Sequence, residues 1–171
     1  IPVVAAAALS NALDLVDKRV TDVRVIVCGA GTVGIGCLRL LHRLGIPPEN
    51  LLVYDVKGLL TAERDDLADE QRIFARSGAP LTLAEGLKGA DVFIGASAGG
   101  VLTQEMVRSM ARFPIVFALA TPVPEIDHEA ARASRRDVIV ATSLARNPNA
   151  ILDTLSFPYI MRGALDVHAT R

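Results

Sequence analysis

The chain has 171 residues, 51% of them apolar and 22% charged, enough for one globular core and too few for a second full domain, so residues 1–171 are expected to form a single domain. A formal net charge of −1 gives no overall pull toward nucleic acid or anionic lipid, so neither is an expected partner and a small molecule is. Cys28 and Cys37 form no C-x-x-C pair and no zinc-spaced set with histidine, which argues against a disulfide or zinc scaffold and for a reducing, cytoplasmic setting.

The opening IPVVAAAAL (1–9) is apolar, but no basic region precedes it and Asn11, Asp14 and Asp17 follow at near-helical spacing. It reads as a core helix and not as a signal peptide or membrane span. Such a helix either covers the sheet or mediates self-association, and a homo-oligomer is expected. The chain starts without Met, already inside apolar sequence, and reads as a piece of a longer protein.

Five short β-rich runs then alternate with helical patterns: VRVIVC (23–28), LLVYD (51–55), DVFIGA (91–96), IVFALA (115–120) and DVIVAT (137–142). That alternation predicts βαβ units on a parallel sheet. Residues 32–44 carry apolar side chains at helical spacing, with Gly45 and Pro47-Pro48 to end the helix. TAERDDLADEQRIFARSG (61–78) reads as a solvated helix with mixed charges. Thr82 with Glu85 forms a capping box, while Thr103 and Asp127 cap two further helices. The tail, 149–167, is expected to be two helices or one broken at Pro158. His42, His128 and His168 have no partners at ligand spacing; His128 is expected on a surface helix, and Arg135-Arg136 at a solvated helix end.

Gly29, Gly31 and Gly34 make G-x-G-x-x-G, placed directly after a strand and opening a helix. The first glycine permits the turn, the second lets backbone approach a pyrophosphate, and the third allows close helix–strand contact. Thr32 and Val33 belong to the helix's first turn, whose free N–H groups and partial positive charge suit phosphate. Glycines of this kind can also serve packing alone. Asp55, 21 residues after Gly34, strengthens the cofactor reading because a carboxylate there accepts hydrogen bonds from the adenosine ribose. It repels a 2′-phosphate and favours NAD, whereas Lys57 and Arg64 nearby offer NADP some compensation. The fold expected is an α/β, Rossmann-like doubly wound parallel sheet in three layers.

Ligands of open parallel sheets sit beyond the carboxyl ends of the strands. After the third run, Ala96, Ser97 and Ala98 are small enough to admit a nicotinamide ribose, and after the fourth Thr121 precedes two prolines that stiffen its loop. An ordinary small-residue loop and a simple turn are equal competitors at these two places.

At this point NALDLVDKRVTDVRVIVCGAGTVGIG, LLVYDVKGLL, TLAEGLKGADVFIGASAGGVLTQEMVRSMA, PIVFALATPVPEI and FPYIMRGALDVHAT together resemble the NAD-binding domain of malic enzymes over nearly the whole chain. The resemblance implies oxidative decarboxylation of L-malate to pyruvate and CO2 with NAD, or NADP, and a Mg or Mn ion. It also implies that the acid–base tyrosine and lysine and the metal-holding carboxylates lie N-terminal to Ile1. The chain alone is therefore expected to bind cofactor but to have no catalytic or metal-ligating residue and no malate turnover. Two departures stand out: Thr121 where the family usually has Asn, and Leu152-Asp153 where it has paired asparagines, one of which touches malate. An ionised Asp153 can only accept hydrogen bonds and repels a malate carboxylate, although Asn147 and Asn149 lie close enough in sequence to compensate. Two other readings stay open: a diverged NAD-binding regulatory or assembly module, and a dehydrogenase for a different hydroxy acid.

Overall fold

The computed structural model describes residues 1–169. Six strands form one sheet: β1 (Val25–Cys28), β2 (Leu51–Asp55), β3 (Gly58–Leu59), β4 (Val92–Gly95), β5 (Ile115–Ala118) and β6 (Ile139–Thr142), in the order β3-β2-β1-β4-β5-β6. All neighbours are parallel except β2 and β3, where Asp55 faces Gly58 and Tyr54 faces Leu59. The sixth strand is a correction to the five expected. It is a two-residue hairpin return with no hydrophobic period of its own.

Period-two alternation within each buried strand feeds two cores. Val25, Val27, Leu51, Val53, Val92, Ile94, Ile115 and Phe117 point to one face, beneath α1 (Pro2–Leu15) and α2 (Thr32–Arg43). Ile26, Leu52, Tyr54, Phe93, Val116 and Val140 point to the other, beneath α4 (Leu83–Leu87), α5 (Gln104–Ser109) and α6 (His128–Ser134). The expected three layers result. Ala5, Leu9, Ala12 and Leu13 of α1 are buried in the first core, so this helix covers the sheet side rather than standing free.

Thr82, Thr103 and Asp127 accept hydrogen bonds from the first-turn amides of α4, α5 and α6, as their sequences predict. The segment 61–78 does not form the expected helix. Only α3 (Asp69–Arg72) is helical, and the rest is an irregular strap pinned by a Thr61–Arg76 bridge, with Leu67 and Phe74 in the first core. Tertiary ties outweigh helix propensity there. The tail is one unbroken helix, α7 (Asp153–Asp166), with Pro158 inside it. Proline's fixed φ is helical, and what it removes is the bond to the carbonyl of Thr154.

Two further expectations change. His128 is buried at the start of α6. Arg135 is not a solvated helix end: it donates to both oxygens of Asp137, at 2.9 and 2.8 Å, and to the carbonyl of Met110 at 2.7 Å. Arg136 is exposed as expected.

Candidate functional site

The sheet order reverses between β1 and β4, and the strand ends there open into a cavity of about 590 Å³, within the range of small-molecule sites. Its walls are Cys28 to Gly31 from the turn after β1, Asp55 and Val56 from the end of β2, Gln71 from α3, and Ser97, Ala98 and Val101 from the loop after β4. A hollow of about 650 Å³ lies elsewhere, among residues that end α1 and precede β1. It has neither a glycine turn nor a helix N-terminus aimed into it.

The three turn glycines differ in what demands them. A side-chain carbon on Gly29 would strike the backbone of Ala96, and one on Gly34 would strike the carbonyl of Gly29. Gly29 also holds φ at +117°, a region L side chains rarely adopt. Both positions are explained by packing. Gly31 is not: its φ of −88° and ψ of −169° suit any residue, and a carbon added there meets nothing within 4 Å. It stands at the N-cap of α2 with no side-chain cap bond, and the first turn carries no acid. The amides of Thr32, Val33 and Gly34 are orphan donors of a helix start, so a bare backbone with positive potential faces an open cavity. The fit to a pyrophosphate is good.

Asp55 closes β2 with its side chain only 19% exposed. Its Oδ1 accepts from the Lys57 amide at 2.8 Å and from Arg64 Nη1 at 2.9 Å, and Oδ2 accepts from Arg64 Nη2 at 2.6 Å. The Arg64 hydrogen bonds hold its carboxyl below the usual carboxylate range. Oδ2 keeps a lone pair for a ribose hydroxyl. Gln71 bridges the strap to the turn, donating to the Ala30 carbonyl at 3.0 Å while accepting from Ala68 N–H at 3.0 Å. Sequence reasoning missed Gln71, because nothing in a charged segment marks one amide as reaching back across 41 residues.

The opposite wall rests on another residue that sequence reasoning missed. Glu125 is 0% exposed; Oε1 accepts from the Ser97 amide at 2.9 Å and Oε2 from the Ala120 amide at 3.0 Å. One carboxylate thus ties the end of β4 to the end of β5. Its carboxylate occupies the space beside Gly95 that a Cβ would need, and Val123 does the same at Gly99. Those glycines opposite the loop of Glu125 were the available signal. Ala96 contributes backbone to this wall, its amide bonded to the Cys28 carbonyl at 2.8 Å. Burial pushes the thiol of Cys28, at the foot of the glycine turn, up from its ordinary value.

Not all predicted site residues line the cavity. Gly29, Gly31, Asp55, Ser97 and Ala98 do; Thr32, Val33, Gly34, Lys57 and Ala96 adjoin it in sequence. Thr121 lies in the loop after β5, its hydroxyl 2.8 Å from that of Ser143. Asp153 is the first residue of α7. Neither Thr121 nor Asp153 is among the cavity walls.

Sheet order, glycine turn, uncapped helix start and strand-end carboxylate together define a dinucleotide-binding domain. Comparison with known proteins narrows this. Residues 2–148 match the family model described as malic enzyme, NAD binding domain. The chain is 44% identical to the NADP-dependent malic enzyme of Halomonas elongata, covering 99% of this chain and 40% of that protein. It is 42% identical to an NAD-dependent malic enzyme of Rhizobium meliloti, covering 98% of this chain and 22% of that one. The crystal structure of the NAD-dependent malic enzyme of Thermotoga maritima superposes with a TM-score of 0.85 at 39% identity, over 96% of this chain and 44% of that one. The chain belongs to the malic enzyme NAD-binding domain family. It spans between 22% and 44% of the length of these relatives.

Proposed function

We propose that the chain is the cofactor-binding part of a malic-enzyme-like oxidoreductase that converts L-malate to pyruvate and CO2, working in the cytoplasm as a homo-oligomer. The observation that carries this reading is Gly31, where nothing in the packing calls for glycine and where the bare backbone of the helix start faces the cavity. Bound NAD supplies the hydride acceptor. The chain's own residues bind and orient it: the amides at the start of α2 receive the pyrophosphate, Oδ2 of Asp55 accepts from the adenosine ribose, and Ser97 and Ala98 leave room for the nicotinamide ribose. Glu125 holds Ser97 and Ala120 in place by accepting their amide hydrogens.

No three His, Cys, Asp or Glu among the described residues converge on one point, so these residues do not by themselves form a metal site. Thr121 and Asp153 support a second reading, a hydroxy acid other than malate, because neither supplies the amide donor the family uses there.

Calorimetric titration of the chain with NAD tests the first claim: the expected Kd lies between micromolar and millimolar, and absence of both heat and a melting shift contradicts it. Malate-dependent NAD reduction by the full-length protein with manganese tests the second. Reduction with malate supports the main reading, whereas reduction only with another hydroxy acid supports the alternative.

A further inference from the structure

The relatives divide between NAD and NADP at nearly equal identity, so what sets the choice here must be read from the residues around Asp55. Arg64 is the nearest cation, and its guanidinium is fully spent. Nε donates to Asp66 Oδ1 at 3.0 Å; Nη1 donates to Asp55 Oδ1 at 2.9 Å and to the Leu59 carbonyl at 3.4 Å; Nη2 donates to Asp55 Oδ2 at 2.6 Å and Asp66 Oδ2 at 2.9 Å. These are all five N–H donors an arginine has. Its side chain is only 16% exposed. The second cation, Lys57, is 65% exposed and donates to the same Asp66 Oδ2 at 2.7 Å.

Asp66 therefore engages Arg64, which pairs with the ribose carboxylate, and Lys57 two residues beyond that carboxylate. With Asp55 and Asp66 opposite Arg64 and Lys57, the four charges sum to zero, and a 2′-phosphate arriving there finds no free donor on Arg64; the exposed Arg72 donates to the Arg64 and Asp65 carbonyls at 3.4 and 3.1 Å and is not held by Asp66. Removing the Asp66 charge alone would leave a net +1 and release two of Arg64's five donors, in the planar fork that suits phosphate oxygens.

We infer that Asp66 is a specificity-determining residue, which selects NAD by occupying Arg64 and Lys57 and so closing a latent 2′-phosphate site. It acts through those two cations and need not touch the cofactor. The inference rests on the cavity's taking a dinucleotide, and its test separates the two claims.

The test is equilibrium binding of NAD, NADP and 2′-AMP to the chain by calorimetry, for wild type, Asp66→Asn, Asp66→Glu, and Asp66→Asn combined with Arg64→Gln. Wild type is expected to bind NAD more tightly than NADP. Asp66→Asn should tighten NADP and 2′-AMP about tenfold while leaving NAD within about twofold, a change of the size expected when one charge beside a phosphate is removed. Asp66→Glu should keep the wild-type preference, and Arg64→Gln in the Asn background should abolish the gain. Thermal melting of each variant checks that the strap stays folded. If both dinucleotides bind and their ratio is the same in wild type and Asp66→Asn, or if wild type already prefers NADP, the role of Asp66 is overturned and the cavity's reading stands. If no variant binds either dinucleotide, the cavity's reading fails and the inference with it.

Discussion

The two walls of the cavity solve one problem, fixing loops at the carboxyl ends of strands, by opposite means. The adenosine wall is held by an ionic cluster, the largely buried Asp55–Arg64 pair with the more exposed Asp66 and Lys57, together with Gln71 on the turn. The opposite wall is held by one buried carboxylate, Glu125, accepting two backbone amides with no cation beside it in the hydrogen-bond network. The exposed pair of the adenosine wall, Lys57–Asp66, contributes little stability, since water and salt screen it. A buried acceptor whose loss strands two donors costs far more. The comparison teaches that the adenosine wall can change its exposed charges, Asp66 and Lys57, at small structural cost, whereas the other wall cannot change Glu125 so cheaply.

Substitutions can break this contrast in decreasing order of effect. The largest is expected at the joint beneath both walls: Gly34→Ala drives a carbon into the Gly29 carbonyl, and overpacking against backbone should lower stability by about 3 kcal/mol, read from chemical denaturation. Next comes Glu125→Gln. Glutamine keeps one acceptor oxygen but turns its NH2 toward the other amide, so about 1–3 kcal/mol should be lost, with weaker NADH binding and faster amide exchange at Ser97 or Ala120. Unchanged exchange at both amides would remove Glu125 from its assigned role.

The smallest effect concerns Asp137, far from the cavity. The Arg135 hydrogen bonds lower its carboxyl pKa from an ordinary 3.8 to about 2. Its folded value lies below its unfolded one, so this pair contributes stability above pH 3.8 that is lost as pH falls toward 2. Asp137→Asn should lower stability by a constant amount near neutrality, and the gap from wild type should close between about pH 4 and 2. A gap that persists at pH 2 would mean the pair is not what the substitution removed.

Much of the first wall was legible in the sequence because its signals are local. A strand, three glycines and a helix lie within residues 25–43, and Asp55 ends the next strand. The capping threonines and Asp127 are likewise fixed by residues two or three positions away. What escaped depends on distant partners. The strap at 61–78 has helical charge spacing, but Arg64 is drawn to Asp55 and Gln71 to Ala30, and these ties prevail over propensity. Glu125 sits in a proline-rich loop of surface character, and its burial follows from the amides of Ser97 and Ala120. His128 and Arg135 were misplaced for the same reason: burial belongs to the packed sheet and not to the residue type.

The most direct test of the account compares two glycines of one turn. Gly31→Leu should leave the melting temperature of the chain where it is, because a carbon added at this open, cavity-facing position meets nothing within 4 Å, yet abolish calorimetric NADH binding. If Gly31→Leu binds NADH as wild type does, or unfolds the chain as Gly34→Ala is expected to, the turn serves packing alone and the dinucleotide assignment of this cavity is wrong.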